Sequence, residues 1–484
     1  MKPLLSVLLL FLVLGLPQTA HTEVANSELP DLGDGAGLSI TPEQEYVLGR
    51  RFLRMLRAQT PVVSDPVVQD YLERLCYRLA FNSPLQHPDL SLAIVRDSSI
   101  NAFAVPGGVI GVNVGLLLHA ETEAELSSVL SHELGHLSQR HFVRKLAENK
   151  QNAWLSLAGF LTTIALASAG DSQGAIAVNA ASQAAIINRS LAYSRQFEQE
   201  ADRIGMQTLV DAGMDPHAMP TFFQRMERQS RTSGAIPEFV LTHPLTASRI
   251  ADTYSRAQRY RDKLPEDSLD YQLVRMRFLT GYMADSSGGI ARFQRQLAGL
   301  APGSERAQVT RFGLALALLR DRQYDKARET LAPLLAAPLP RHDYVIAAAE
   351  IALAERNYAE AVQVLQPALA IAPDNYPLLM YYARAQIGDG HPEAVLGKLE
   401  ALARERADDP YLWRMLVDGY TASKNTLGVY RSRAESYYLN GDEERAMEQL
   451  RIAAESVKGN YPLYAKLQKR QREMQAAKDG EKGD

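Results

Sequence analysis

Ser131-His132-Glu133-Leu134-Gly135-His136 sets two imidazoles four residues apart with a carboxylate beside the first. On a helix, four residues advance by about 400°, so His132 and His136 stand nearly above one another and can hold one divalent ion. Glu133 then lies about 60° around from His136. That is close enough to act on water next to the ion without binding the ion itself. The chemistry is hydrolytic: the ion polarises a peptide carbonyl and acidifies water, and Glu133 takes the proton as the water attacks. Leu126, Val129, Leu130 and Leu137 surround the motif and predict a buried active-site helix.

A catalytic zinc usually takes three protein ligands and keeps one position open. Further donors occur in Phe197-Glu198-Gln199-Glu200-Ala201-Asp202. Glu198 and Asp202 are four apart and share a helix face. Spacing makes them nearly equal candidates, one to bind zinc and the other to support a ligand histidine. Glu200 points away and reads as solvated. His243 precedes Pro244, which places it in a loop or at a helix start. From there it can fill zinc's fourth position at rest, stabilise the oxyanion, or simply face solvent. Arg249, on the helix that follows, can pair with an acidic residue of the site that the sequence does not specify. His141, five after His136, falls about 140° around the helix and outside the site. His21, His87, His119, His217, His342 and His391 have no partner at metal spacing.

The elements that must position these groups are legible. Thr41-Pro42-Glu43-Gln44 starts a helix over 43–57, and a second covers 66–81, with Leu72, Leu75, Cys76 and Leu79 on one face. Cys76 is the sole cysteine, so no intrachain disulfide forms, and it reads as a small buried hydrophobe. Alternating apolar runs at 92–95, 102–105 and 109–112, with Pro106-Gly107-Gly108 as a turn, predict a small antiparallel sheet. Either the strand at 109–114 or that at 101–105 is the exposed edge on which an extended substrate lies. Thr122 and Glu125 form a capping box for a helix running to about Ala147. The apolar run 155–169 is too short to span a bilayer and reads as a core helix or a flap over a groove, with membrane contact the alternative. A long helix covers about 190–212 and stops at Gly213.

Beyond about 270 the chain becomes rich in Ala, Leu and Tyr with a recurring step. Gln323-Tyr324 followed by Ala327 returns 34 residues later as Asn357-Tyr358 followed by Ala361. Gly388-Asp389-Gly390 echoes it, and Gly441-Asp442 followed by Ala446 is a later copy. This is the period of tetratricopeptide repeats, over roughly 305–465, with 270–304 a degenerate first pair. At the other end, Lys2 precedes an apolar stretch at 4–16 and Pro17, the layout of a cleaved secretory signal. The chain therefore divides into a signal at 1–22 (cleavage between 20 and 25), a peptidase domain at 23–265, repeats at 266–475 and a charged tail at 476–484. Hydrophobic residues at 46% exclude a disordered chain, and a net charge of -4 argues against a nucleic-acid binder.

The pairing of His132-Glu133-Leu134-Gly135-His136 with Glu198-Gln199-Glu200-Ala201-Asp202 resembles the gluzincin family of CAAX-type and HtpX-like metallopeptidases. The stretch Thr242-His243-Pro244-Leu245-Thr246-Ala247-Ser248-Arg249 is similar to one found in that family too. The resemblance implies an α+β zincin-like domain, followed here by an all-α tetratricopeptide-repeat solenoid. It implies one zinc per chain held by His132, His136 and Glu198, with Glu133 as the base and Asp202 in support. The integral-membrane members have spanning helices that this chain lacks, so it resembles the soluble, exported branch. That implies a periplasmic zinc endopeptidase acting on outer-membrane β-barrel proteins and maintaining outer-membrane integrity. Its implied contacts are the barrel-assembly machinery and the lipopolysaccharide-export barrel. An alternative from another class is a repeat-based chaperone or assembly adaptor with secondary proteolysis.

Overall fold

Thr41 opens the first helix, α1 (Pro42–Gln59), with a reciprocal cap: its side chain accepts from Gln44 N–H, and Gln44 reaches back to the backbone of Thr41. Asp65 caps α2 (Pro66–Phe81). These elements belong to a computed structural model that describes residues 40–86, 88–149, 159, 194–233, 237–260, 267–282 and 286–479. The expected signal at 1–22, nearly all of the apolar run 155–169, His21, His87 and the last residues of the tail lie outside the described residues, as does the domain division expected at 265–266.

The sheet differs from the antiparallel one expected. Strands β1 (Ser91–Val95), β2 (Ala102–Val105) and β3 (Val109–Asn113) lie in the order β1-β3-β2. β2 and β3 form the expected hairpin, but β1 runs parallel to β3. Residues 96–101 are not a tight turn. They cross the end of the sheet, where Gly115 N–H donates to Asp97 O, and so deliver the chain to the far edge. β3 is therefore central and cannot be the substrate edge; of the two strands expected in that role only β2 lies at an edge of the sheet, and its four residues are buried rather than exposed. Gly107 and Gly108 have φ of 80° and 73°. A Cβ at Gly107 would lie 2.4 Å from Glu45 O, and one at Gly108 would lie 2.1 Å from Asp89 O, so only glycine fits this turn.

The Thr122 helix, α4 (Glu123–Ser138), follows the short α3 (Val114–His119). Thr122 accepts from Glu125 N–H as expected. The reciprocal half of the box is missing, because the Glu125 carboxylate accepts instead from Glu121 N–H and pairs with Arg225. The helix also ends short of Ala147. Arg140 takes a left-handed φ of 50°, and a new helix, α5 (His141–Asn149), starts beyond it. The Arg140 guanidinium donates to Glu45 Oε1 and to Ile40 O, 2.8 Å each, which ties the break to the start of α1.

α6 (Arg195–Asp211), capped by Ser194 and followed by Gly213 at φ 71°, packs along α4. A Cβ at Gly135 would lie 3.0 Å from Ala201 Cα, and one at Gly205 would lie 3.0 Å from His132 N. Small residues at both crossings let the two backbones approach closely. α7 (Ala218–Ser233), α8 (Glu238–Thr242) and α9 (Ala247–Ala257) complete the peptidase part. Cys76 is fully buried in its core, and burial pushes its thiol pKa up.

Twelve helices follow among the described residues, from α10 (Leu269–Gly281) and α11 (Ser286–Ala298) to α21 (Tyr461–Asp479). The repeat period is written in the backbone. Left-handed residues closing successive turns fall at Arg322, Arg356, Gly390 and Lys424, 34 residues apart each time. Lys424, not Gly441, thus continues the series from Gly390. The Gly441 turn copies the local chemistry half a period later. Ala327, Ala361 and Ala446 are fully buried where paired helices meet.

The repeats pack onto the peptidase through a continuous core: Val67 and Leu75 of α2 belong to the same apolar cluster as Val345, Leu365 and Leu378. At its margin Arg277, on α10, joins three elements. It donates to the cap residue Asp65 (2.7 Å), to Glu350 of α14 (His342–Ala354; 3.0 Å) and to the Tyr381 hydroxyl of α16 (Tyr376–Gly388; 2.6 Å). Removing one member of a partly buried, hydrogen-bonded ion cluster leaves the others without their partner. Arg277→Ala is expected to cost about 1.5–3 kcal/mol in chemical denaturation. Unchanged stability would show that the peptidase–repeat contact does not depend on this cluster.

Candidate metal centre

The α4–α6 packing brings the sequence candidates to one point. His132, His136, Glu198 and His243 each offer a ligand atom, all within 4.8 Å of one another, and all four residues are buried. His136 Nε2 lies 3.0 Å from His132 Nε2 and 3.5 Å from Glu198 Oε1, and His132 Nε2 lies 3.5 Å from Glu198 Oε2. Tetrahedral ligands about 2.0–2.1 Å from a zinc ion stand roughly 3.4 Å apart. The nitrogen and oxygen donors fit such an ion. Glu133 Oε1 adds a second indication, being buried with no hydrogen-bond partner among the described residues.

Between Glu198 and Asp202, which spacing left equal, the geometry separates the two. Glu198 faces the donor atoms, whereas Asp202 Oδ1 lies 3.0 Å from His132 Nδ1, on the far side of the ring. Arg249 answers the pairing question left open by the sequence. Its Nε and Nη2 donate to the two Asp202 oxygens at 2.7 Å each, and its Nη1 lies 2.6 Å from Glu198 Oε2. Burial raises both carboxyl pKa values, but neighbouring His243 and Arg249 hold Glu198 well below its ordinary value, and Arg249 brings Asp202 below its own. Burial lowers His132, yet Asp202 and Glu198 outweigh it and raise the imidazole to about 9. Glu133 is shifted the other way. Burial raises its carboxyl, which suits a group that must accept and release a proton.

His243 caps the C-terminus of α8 and is buried, which removes the solvent-facing reading. Its Nδ1 lies 3.0 Å from Glu198 Oε1 and 3.3 Å from His132 Nε2, and its Nε2 lies 3.4 Å from Glu133 Oε1. Its ring stacks on Phe239, with centroids 4.6 Å apart.

Two expectations are overturned. His141 is not outside the site: it is fully buried and its Nδ1 is 2.9 Å from His136 Nδ1. The angle counted along one helix fails because Arg140 breaks that helix. Glu200 is not simply solvated either, since it bonds His141 Nε2 at 3.0 Å and Arg144 at 3.3 Å. His119, His217, His342 and His391 lie away from the cluster, each with a local partner of its own.

The fold and site define a metalloendopeptidase joined to a tetratricopeptide-repeat array. Residues 66–257 match the model of peptidase family M48, and residues 352–417 match that of a tetratricopeptide repeat. The β-barrel assembly-enhancing protease of Escherichia coli K12 is 33% identical over 458 residues, 94% of this chain and 93% of that protein. Its Yersinia pestis counterpart is 32% identical, covering 94% of each chain. The mitochondrial metalloendopeptidase OMA1 of Arabidopsis thaliana is 29% identical over 183 residues, 38% of this chain and 35% of its own length. The chain belongs to the β-barrel assembly-enhancing protease family. No helix among the described residues is long and apolar enough to cross a membrane.

The helix that presents His243 has a titratable anchor. Phe239 N–H donates to Ile100 O, and Ser99 Oγ donates to Glu238 Oε2 at 2.8 Å. Burial pushes the Glu238 carboxyl from 4.5 up to about 7; the Ser99, Asn101 and Asn113 hydrogen bonds oppose the rise and Asp97 reinforces it. Between these two values the folded chain keeps a proton that the unfolded chain has lost. The contribution of this group to stability therefore falls as pH rises through that window, by about 3 kcal/mol, and is constant above it. Glu238→Gln is expected to match the parent near pH 4.5 and to unfold at higher denaturant at pH 8. An unaltered pH slope in the variant would refute this assignment.

Proposed function

We propose that this protein is a periplasmic zinc-dependent endopeptidase that degrades stalled outer-membrane β-barrel proteins or assists their assembly, and so maintains outer-membrane integrity. The observation that carries the reading is the buried convergence of His132, His136 and Glu198 beside the carboxylate of Glu133, whose Oε1 is buried without a hydrogen bond among the described residues. The names of the relatives support the substrate class, and the predicted signal at 1–22 supports export.

His132, His136 and Glu198 would hold one zinc, which when bound would supply Lewis-acid polarisation of the scissile carbonyl and acidify water. Asp202 holds the His132 ring, and Arg249 holds Asp202. Glu133 takes the proton of the attacking water and returns it to the leaving amine. β2 lies against this carboxylate, with the Ala104 backbone hydrogen-bonded to Glu133. An extended substrate pairs with that edge strand by main-chain hydrogen bonds, which selects loosened or unfolded segments. His243 would be a further ligand at rest and would withdraw to admit the substrate. The repeats recruit substrate, the barrel-assembly machinery or the lipopolysaccharide-export barrel. The second reading, a chaperone or adaptor in which proteolysis is secondary, is favoured by the length of the repeat array, Leu269 to Asp479.

Glu133→Gln should keep about one zinc per chain and lose at least ~10³-fold in casein cleavage, comparable to a chelator-treated parent. A variant that keeps its full cellular role without cleavage would establish the adaptor reading, and a zinc-free parent would end the peptidase one. His243→Ala should retain zinc and cleave casein roughly 3–10-fold faster, as the resting state no longer blocks the site. A rate equal to that of the parent would remove His243 from the mechanism.

A further inference from the structure

His136 presents Nε2 to the donor cluster, and a neutral imidazole that coordinates through one nitrogen must carry its proton on the other. That proton sits on Nδ1, which faces His141 Nδ1 at 2.9 Å. His141 can accept there only if its own proton is on Nε2, and Nε2 faces Glu200 Oε2 at 3.0 Å. A carboxylate is acceptor-only, so one set of proton positions satisfies the whole chain: Glu200 accepts from His141 Nε2–H, and His141 Nδ1 accepts from His136 Nδ1–H. The opposite set would put a proton on His136 Nε2, pointing at His132 Nε2 and Glu198.

The parts of this chain are held independently. His141 is fully buried and stacks on Phe197, with centroids 4.4 Å apart and planes 12° from parallel. Arg144, one turn along α5, bonds Glu200 at 3.3 Å and lies over the other ring neighbour, Phe197, at 4.5 Å. The left-handed Arg140 turns His141 back beneath His136, and its guanidinium is tied to α1. α6 thus supports both histidines, His132 directly through Asp202 and His136 indirectly through Glu200.

We propose that Glu200 and His141 form a hydrogen-bonded relay that holds His136 in the one tautomer and ring orientation able to ligate metal. They are positioning residues that act through His136. This rests on His136 being a ligand, as proposed above.

The test is zinc affinity of the full chain, measured by competition with a chromogenic chelator. His141→Phe keeps the ring and its stacking but cannot accept the proton; affinity should fall about 10–100-fold. His141→Gln restores a carbonyl acceptor and should recover most of that loss. Glu200→Ala, at a partly exposed position, should lose about tenfold and carries the test if His141→Phe fails to fold. His136→Ala is the reference. If it binds zinc as well as the parent, the metal-centre reading fails. If it loses zinc while His141→Phe or Glu200→Ala binds as the parent does, or if Gln at 141 is no better than Phe, the relay alone is overturned.

Discussion

Glu198 and Asp202 stay ionised in a buried interior because His243 lies against Glu198 and Arg249 reaches both carboxylates. Two carboxylates one helical turn apart would otherwise repel each other and take up protons on burial. A protonated Glu198 offers a poor ligand atom, and a protonated Asp202 no longer needs a proton from His132. The guanidinium, with its planar fork of donors, answers both at once, which a lysine could not do. It comes from α9, so the charge balance of the metal centre depends on an element far from the motif in sequence. The same loop that leads to Arg249 supplies His243.

Packing sets the positions of these charges. Gly135 and Gly205 bring the α4 and α6 backbones to within reach of one another, and the donors on facing sides then fall within the spacing of one ion. The sheet contributes its edge, with β2 against Glu133. The repeats bear on another part of the peptidase core. They share an apolar core with α2, which packs on α4, and Arg277 closes the seam.

The ligand histidines illustrate how local and distant constraints combine. Each needs a partner on its outer nitrogen, and each finds a different one: a carboxylate for His132, another imidazole for His136. The second partner depends on a break in the helix that no proline or glycine marks. Arg140 accepts a left-handed backbone because its guanidinium is bound to Glu45 and Ile40, residues about 95 positions earlier in the chain. Helical arithmetic carried past Ser138 therefore put His141 on the wrong side.

What the sequence by itself determined is whatever follows from short-range periodicity. Two histidines one turn apart share a face on any helix, and Thr41, Asp65, Gly213 and the 34-residue step mark their elements through local backbone chemistry. The glutamate–aspartate pair was visible for the same reason, though the choice between its members came from family likeness and not from spacing. Only the tertiary structure decided the parallel pairing of β1, the edge position of β2, the burial of His243, the partners of Arg249, and the second support of His136. Each of these depends on which distant segments share a dry interior, where an unpaired charge or donor is costly and a partner must be found from whatever residues packing brings near.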